Sequence, residues 1–231
     1  MRNALLVLLV SISIMGYSQK RVLFDELTNT KFNGDGIMKY ENEAFNGISF
    51  KNYIDGTFKS EQTYKDGKED GLSKEWYKNG QIKYVVNYTD GNLNGLSKEW
   101  YDNGQLSKEE NYKFGRIYGL HESWYANGQL SKKGNYIGSF SNDGLWEKWY
   151  KNGQIEWSRN YKDGKGVGLH KSWHQNGLLW SEGNYKDGRR DGLQKSWYEN
   201  GKLEWERNYI GGRSISKKCW DKKGNKESCP W

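Results

Sequence analysis

The stretch GLSKEWYKNGQIKYVVNYTDG, residues 71–91, decides the fold of this chain. It contains two runs of alternating side chains, residues 72–77 and 82–88, and Asn79-Gly80 stands between them. Successive side chains of a β-strand point to opposite faces, so alternation is typical of strands. Asn-Gly between two such runs is a strong hairpin pattern. The stretch therefore predicts one β-hairpin, followed by a second turn at Asp90-Gly91.

The pattern of this hairpin recurs along most of the chain. Six Gly-Leu pairs follow one another at steps of 24, 24, 25, 24 and 24 residues, with Trp five residues after each Gly and Asn-Gly three residues after each Trp. A fixed period of this length indicates an array in which each unit contacts mainly its neighbours. We therefore predict an all-β fold, an elongated antiparallel β-meander of hairpin repeats of ~24 residues. The Trp column of this array consists of Trp76, Trp100, Trp124, Trp149, Trp173, Trp197 and Trp220.

The length of the Asn-Gly loop determines which side chains share a face. A three-residue loop, residues 78–80, places Trp76 opposite Ile82, whereas a two-residue loop places Trp76 opposite Lys83. One face of such a sheet must be buried, and only the three-residue loop gathers the large apolar residues of both strands on one face. We therefore predict a type I turn with Gly80 in the left-handed conformation and a G1 bulge.

The two ends of the chain depart from the repeat. Residues 1–18 combine a short basic start, an apolar run and small residues before Gln19. This is the pattern of a secretory signal peptide, so we expect export to the periplasm, the cell surface or the medium. We assign residues 19–46 to an N-terminal cap, 47–212 to the hairpin repeats and 213–231 to a C-terminal capping hairpin. Cys219 and Cys229 flank the last turn, and in an exported chain they predict a disulfide.

Composition and spacing point away from catalysis. The formal net charge is +7, but 36 basic and 29 acidic residues are interleaved, which predicts a solvated surface and no nucleic-acid partner. The serines and carboxylates that could act chemically fall in repeat columns or turns. On a strand, His170 and His174 would stand roughly 13 Å apart, too far to share one ion. We therefore expect no enzyme activity, no catalytic residue, no cofactor and no metal ion.

The repeat columns, Gly-x-x-x-x-Trp-Tyr-x-Asn-Gly-x-Leu followed by Tyr-x-x-Gly, resemble the MORN-repeat family in its variant form. The resemblance covers about residues 47–225. Bacterial proteins of this layout are often grouped as antitoxins of the YwqK type. The resemblance implies an elongated, twisted single-layer β-sheet that binds or scaffolds, with proteins and lipid headgroups as partners. A signal peptide argues against neutralising a cytoplasmic toxin, and leaves open a toxin outside the cytoplasm.

Two groups of aromatic residues have different expected roles. The Trp column is expected to form the core, stacking from unit to unit. Trp146, Trp157, Trp180 and Trp205 lie outside it; the predicted register places Trp157 and Trp205 on the apolar face, and Trp146 and Trp180 on the opposite face. Exposed aromatic groups on a sheet form a reasonable binding platform. The candidate binding face consists of Trp146, Trp180, Tyr77, Tyr101, Tyr125 and Tyr150.

These observations favour an exported, non-enzymatic protein-binding scaffold or immunity-type protein with a protein partner. The alternative is a cell-envelope protein that binds carbohydrate or lipid headgroups, because aromatic residues beside lysines also suit glycans and anionic lipid surfaces. Both hypotheses leave the oligomeric state open.

Overall fold

The computed structural model describes residues 19–28, 37–138 and 141–229, so the predicted signal peptide lies outside the described residues. Short strands and a single helical turn follow each other along this part of the chain. Their bounds are β1 Arg21–Leu23, α1 Phe24–Thr28, β2 Lys39–Tyr40, β3 Glu43–Ala44, β4 Gly47–Asn52, β5 Phe58–Lys65, β6 Lys68–Trp76, β7 Ile82–Thr89, β8 Asn92–Leu93, β9 Gly95–Trp100, β10 Leu106–Lys113, β11 Arg116–Trp124, β12 Leu130–Tyr136, β13 Asn142–Trp149, β14 Ile155–Lys162, β15 Lys165–Trp173, β16 Leu179–Lys186, β17 Arg189–Trp197, β18 Leu203–Ile210, β19 Arg213–Trp220 and β20 Lys226–Glu227.

The strands from β4 onward form one antiparallel meander in chain order. Each hairpin pairs along its length with the hairpin that follows it, and β8 is a short strand beside β7. The predicted all-β meander is therefore confirmed. Its eight hairpins are β4–β5, β6–β7, β9–β10, β11–β12, β13–β14, β15–β16, β17–β18 and β19–β20.

The Asn-Gly turns have the predicted geometry. Trp76 stands opposite Ile82, and the backbone N–H of Tyr77 donates to the carbonyl of Gln81 at 2.8 Å across a three-residue loop. Gly80 has a φ of +82°, a conformation in which a Cβ atom would be strained. The prediction of a left-handed Gly80 in a three-residue loop is therefore confirmed.

The predicted gathering of all large apolar residues on one face is wrong. The register shifts at Lys83, because Trp76 pairs with Ile82 whereas Glu75 pairs with Tyr84. The extra residue is a β-bulge that reverses the face of every later residue of β7, so Tyr84, Val86 and Tyr88 lie on the face opposite Trp76. The ammonium of Lys83 lies 2.8 Å from the carboxylate of Glu75 on that face.

A second register shift recurs between hairpins, at the Gly of the Gly-Leu pairs. Between the pairs Lys133–Glu147 and Asn135–Asp143, β12 advances by two residues and β13 by four. Gly144 lies in this bulge with a φ of +67°, which explains why the position is glycine.

The two shifts give the sheet two different faces. We name the face that carries Leu72, Lys74 and Trp76 and their equivalents the leucine face, and the face that carries Ser73 and Glu75 and their equivalents the groove face. On the leucine face the Trp column is half-buried and the leucines are 41–48% exposed. The most deeply buried side chains of the array lie on the groove face, so the expectation that the Trp column forms the core is wrong. The exposed leucines are Leu72, Leu96, Leu120, Leu145, Leu169 and Leu193.

The segment before the first hairpin covers the edge of the sheet. β1 pairs in parallel with β4, and α1 follows it directly. Such cover matters because an open edge presents unpaired backbone groups to other chains. Leu27 of α1 is fully buried in a cluster that also contains Val22, Phe45 and Tyr64.

The last hairpin closes on the predicted disulfide. Cys219 and Cys229 are bonded, with their Cα atoms 5.2 Å apart. Cys219 is itself buried on the groove face. β20 pairs with β19 only at Cys219–Glu227 and Trp220–Lys226, so the covalent bond holds a segment that has little ladder pairing.

Removing the disulfide should destabilise the C-terminal end. We expect the variant Cys219→Ser/Cys229→Ser to lose about 2–3 kcal/mol of unfolding free energy, because a short loop is no longer closed in the unfolded chain. Urea denaturation followed by circular dichroism measures this. A reducing agent should produce the same loss in the native chain and none in the double variant; equal sensitivity of both would contradict the assignment.

Candidate binding groove

The surplus aromatic residues all lie on the groove face, but they differ in exposure. Trp157 stands opposite Lys148 and Trp205 opposite Ser196, and both partners lie on the groove face. The prediction that Trp157 and Trp205 share a face with the Trp column is therefore wrong, because the bulge in each hairpin reverses the face of the later residues. Trp180 is 50% exposed on the groove face, whereas Trp146 has no exposed surface. The prediction of Trp146 as an exposed binding residue is therefore wrong.

Trp146 is buried because the preceding hairpin leaves a space for its ring. A Cβ atom at Gly134 would occupy the position of the Trp146 indole ring. The indole packs at 4.7 Å from the ring of Tyr136 and 5.7 Å from that of His121, and its N–H donates to the carbonyl of Asn135 at 3.0 Å.

The same hydrogen bond recurs in the next two hairpins. The His170 ring donates to the carbonyl of Asn160 at 2.9 Å, and the Gln194 amide donates to that of Asn184 at 2.7 Å. Side chains of this column therefore donate to the carbonyl of the Asn in the Asn-Tyr pair of the preceding hairpin. Sequence reasoning missed this row because its members, Trp, His and Gln, share no chemical type.

The four tyrosines of the predicted binding face lie beside the Asn-Gly turns and join neighbouring hairpins. Each hydroxyl donates to the backbone carbonyl of the next residue in the Trp column, at 2.7–2.8 Å. His174 replaces tyrosine in this column, and its ring donates to the carbonyl of Trp197 at 2.9 Å. The column therefore has a structural role, and its role in binding stays a prediction. The four donors are Tyr77, Tyr101, Tyr125 and Tyr150.

A buried charged cluster lies on the groove face of the N-terminal half. Glu110 is 4% exposed and accepts hydrogen bonds from His121 at 2.9 Å and Tyr112 at 2.9 Å, with the Lys108 ammonium at 3.3 Å. Burial alone would raise the pKa of Glu110, but the hydrogen bonds from His121 and Tyr112 and the charge of Lys108 outweigh it and lower the pKa to about 2. Burial and the neighbouring carboxylate raise the pKa of Tyr112 to about 12.

The lowered pKa of Glu110 predicts a pH-dependent contribution to stability. A folded pKa of about 2, against an ordinary value of 4.5, means that the contribution is complete above pH 4.5 and is lost as the pH falls towards 2. We expect Glu110→Gln to lower the unfolding free energy at pH 7 by about 1–3 kcal/mol, because His121 and Lys108 lose a charged acceptor.

Urea denaturation of both chains between pH 7 and pH 3 checks this expectation. The difference between them should shrink as the pH falls below 4.5. Glu109→Gln is the matched control, since Glu109 pairs with Lys98 on the leucine face with more of its side chain exposed, and it should change stability by less than about 1 kcal/mol. A loss for Glu110→Gln that is the same at all pH values would contradict the account.

A groove lies on the same face, across β14 to β18. Its volume is about 800 Å³, within the range of ligand-binding clefts. His170, Tyr185 and Gln194 line it, and the half-exposed ring of Trp180 stands at its rim. Its backbone lies in regular hairpins and is already paired, so a ligand would contact side chains. Among these lining residues, His170, Gln194 and Trp180 depart from the repeat pattern, whereas Tyr185 belongs to the Asn-Tyr column.

The charge of the groove is basic. Arg159, Lys165 and Arg190 line it, and none of them takes part in an ion pair within the described residues. Arg190 donates to the hydroxyl of Tyr209 at 3.1 Å, and the guanidinium of Arg159 lies 4.5 Å from the Trp157 ring centroid. Elsewhere on the groove face, lysines pair with glutamates, as Lys83 does with Glu75 and Lys108 with Glu110.

No group of three or more His, Cys, Asp or Glu side chains that could hold a metal ion occurs in the part of the chain that the structure describes. His170 and His174 donate to different backbone carbonyls, and burial lowers the pKa of His170. Across the same residues, no helix is both long and apolar enough to cross a membrane.

The fold and the groove define a class of protein, the single-sheet β-hairpin repeat proteins. A family model described as MORN repeat variant matches six consecutive segments, and together these cover more than half of the chain. The chain belongs to the MORN repeat variant family. No curated protein matches it significantly. The matched segments are residues 69–90, 93–114, 117–137, 142–163, 167–187 and 190–210, and each spans most of one hairpin.

Proposed function

We propose that this protein is an exported, non-enzymatic binding scaffold that holds a partner protein on its groove face. The observation that carries the proposal is the groove across β14 to β18, where unpaired cations and a half-exposed Trp180 replace the repeat pattern. Elsewhere, side chains of the repeat columns form hydrogen bonds with the backbone and stabilise the sheet. Recognition of a partner would therefore depend on the residues that differ between hairpins. A toxin outside the cytoplasm is one partner of this kind, which would make the protein antitoxin-like.

A second candidate function is binding to a cell-envelope glycan or a lipid headgroup. One observation favours it: Trp180 offers an exposed ring beside cationic side chains, which suits a sugar ring or an anionic headgroup. The two functions differ in what the protein would be recovered with.

Affinity capture of the mature chain, residues 19–231, tests the two functions against each other. The chain is incubated with envelope and secreted fractions of the producing organism, and bound material is read by mass spectrometry. One dominant protein at near-equal amount would support the protein-binding scaffold. Retention of the chain by the insoluble glycan or lipid fraction, without a protein partner, would instead support the second candidate.

A further inference from the structure

We infer that the groove across β14 to β18 is a recognition site for an extended acidic peptide segment, with Arg159 and Arg190 binding carboxylates and Trp180 binding an apolar side chain. This inference deepens the proposed function and rests on it. It names the chemistry of the segment that the partner protein would present.

Arg159 and Arg190 are cations at positions that are not basic in the earlier hairpins, whereas the position of Lys165 is basic in most hairpins. The position of Arg190, opposite the Tyr of the Asn-Tyr pair, is Glu69 in the second hairpin and Leu93 in the third. The position of Arg159 is Glu110 in the third hairpin and Gly134 in the fourth. The basic character is therefore a local feature of the C-terminal hairpins, and the repeat does not require it.

Neighbouring side chains position the guanidinium groups of Arg159 and Arg190, which can bind planar anions. Arg159 lies over Trp157, and Arg190 is fixed by the hydroxyl of Tyr209 at 3.1 Å. The acidic residues of the lining already have partners, since Glu204 accepts a hydrogen bond from Ser196 at 2.8 Å and Glu182 lies 3.9 Å from Lys171. An arginine presents a fork of N–H donors that matches a carboxylate, so a carboxylate ligand fits this surface.

The aromatic residues favour a peptide over a glycan. A sugar platform needs free ring faces, but Arg159 covers a face of Trp157 and Arg207 a face of Trp205, at 4.5 and 4.7 Å. The ring of His170 stacks on Tyr185 at 4.3 Å. Trp180 is the ring that stays half-exposed among these, which suits one apolar side chain and not a row of sugars.

The spacing of the two arginines fits an extended segment. Arg159 is on β14 and Arg190 on β17, so three strand spacings separate them, roughly 14 Å. In an extended peptide, side chains four residues apart point to the same side and stand about 13 Å apart. A segment that crosses the strands with acidic residues at this interval would meet both arginines, and an apolar side chain between them would point towards Trp180, which lies near the start of β16.

Fluorescence anisotropy of a labelled peptide tests the inference. The probe is Ser-Ser-Glu-Thr-Phe-Thr-Glu-Ser-Ser, titrated with the mature chain at low salt, and its partner probe carries Gln in place of both Glu. We expect binding of the acidic probe and at least about tenfold weaker binding of the Gln probe, because each charge-assisted hydrogen bond contributes strongly. Binding should also weaken as salt rises.

Matched variants separate the groove from general electrostatic attraction. Arg159→Glu/Arg190→Glu should weaken binding of the acidic probe by at least about tenfold. Lys113→Glu/Arg116→Glu reverses the same amount of charge near a turn of β10 and β11, outside the groove, and should change binding little. Arg190→Glu alone, at an exposed side chain, gives the test if the double variant does not fold.

Three results would overturn the inference: no binding of the acidic probe, equal loss in both double variants, or tighter and arginine-dependent binding of oligogalacturonate, which would assign the groove to an anionic glycan. Failure of the inference differs from failure of the proposed function. If the peptide does not bind but one protein is still captured at near-equal amount, the scaffold stands and its ligand chemistry is different.

Discussion

Replacing Trp146 by Ala is expected to lower the unfolding free energy by about 3–5 kcal/mol, the usual result of removing a buried aromatic side chain. The side chain has no exposed surface, packs against His121 and Tyr136, and donates to the carbonyl of Asn135. The substitution leaves a cavity and removes a hydrogen bond to the Asn135 carbonyl. Urea denaturation followed by far-ultraviolet circular dichroism measures the loss.

Trp180→Ala is the matched control, because Trp180 has the same side chain on the same face but is 50% exposed. We expect a loss of less than about half of that for Trp146→Ala, since less area leaves water on folding. Gly134→Ala supplies a second test: its Cβ atom would meet the Trp146 ring, so it should destabilise the native chain by about 1–3 kcal/mol and the Trp146→Ala variant by less. Equal losses for Trp146→Ala and Trp180→Ala would contradict the groove-face core.

Leu27→Ala is expected to lower the unfolding free energy by about 2–5 kcal/mol, because Leu27 is fully buried in the N-terminal cap. The cap covers the edge strand β4, so loss of its packing should loosen that end first. Hydrogen exchange resolves this, since stability in a repeat array varies along the chain. The amides of β4 and β5 should lose protection, while those of β17 and β18 keep theirs.

Leu23→Ala is the matched control for the cap. Leu23 lies four residues before Leu27 and is 41% exposed, so its substitution should have little effect on stability or on the exchange of β4. A uniform loss of protection along the whole sheet after Leu27→Ala would show that the chain unfolds as one unit. Unchanged exchange in β4 would show that α1 does not hold the edge.

Much of the fold could be predicted from the sequence because turns and pairing are local. The Asn-Gly column determines a three-residue loop. This loop requires a residue with a positive φ, and Gly80 is that residue. The same reasoning placed Trp76 opposite Ile82, and it paired Cys219 with Cys229. These features depend on residues that lie within a few positions of each other.

The candidate site was harder to predict because it depends on register shifts. The bulge at Lys83 and its equivalents leaves no distinct residue type in the sequence, yet it reverses the face of all later residues in the strand. Trp157 and Trp205 were assigned to the wrong face for this reason. The burial of Trp146 could not be predicted, because the space for its indole ring is created by Gly134 on another strand. Only the structure shows that these two residues are neighbours.

The central claim, that the groove across β14 to β18 holds a partner protein, is tested most directly by comparing three baits in one affinity capture. The baits are the mature chain, its Arg159→Glu/Arg190→Glu variant, and its Lys113→Glu/Arg116→Glu variant with the same net charge change. We predict that one protein is recovered at near-equal amount with the mature chain and the Lys113→Glu/Arg116→Glu variant, and is lost with the groove variant. Recovery of that protein by the folded groove variant, in the same amount, would contradict the claim.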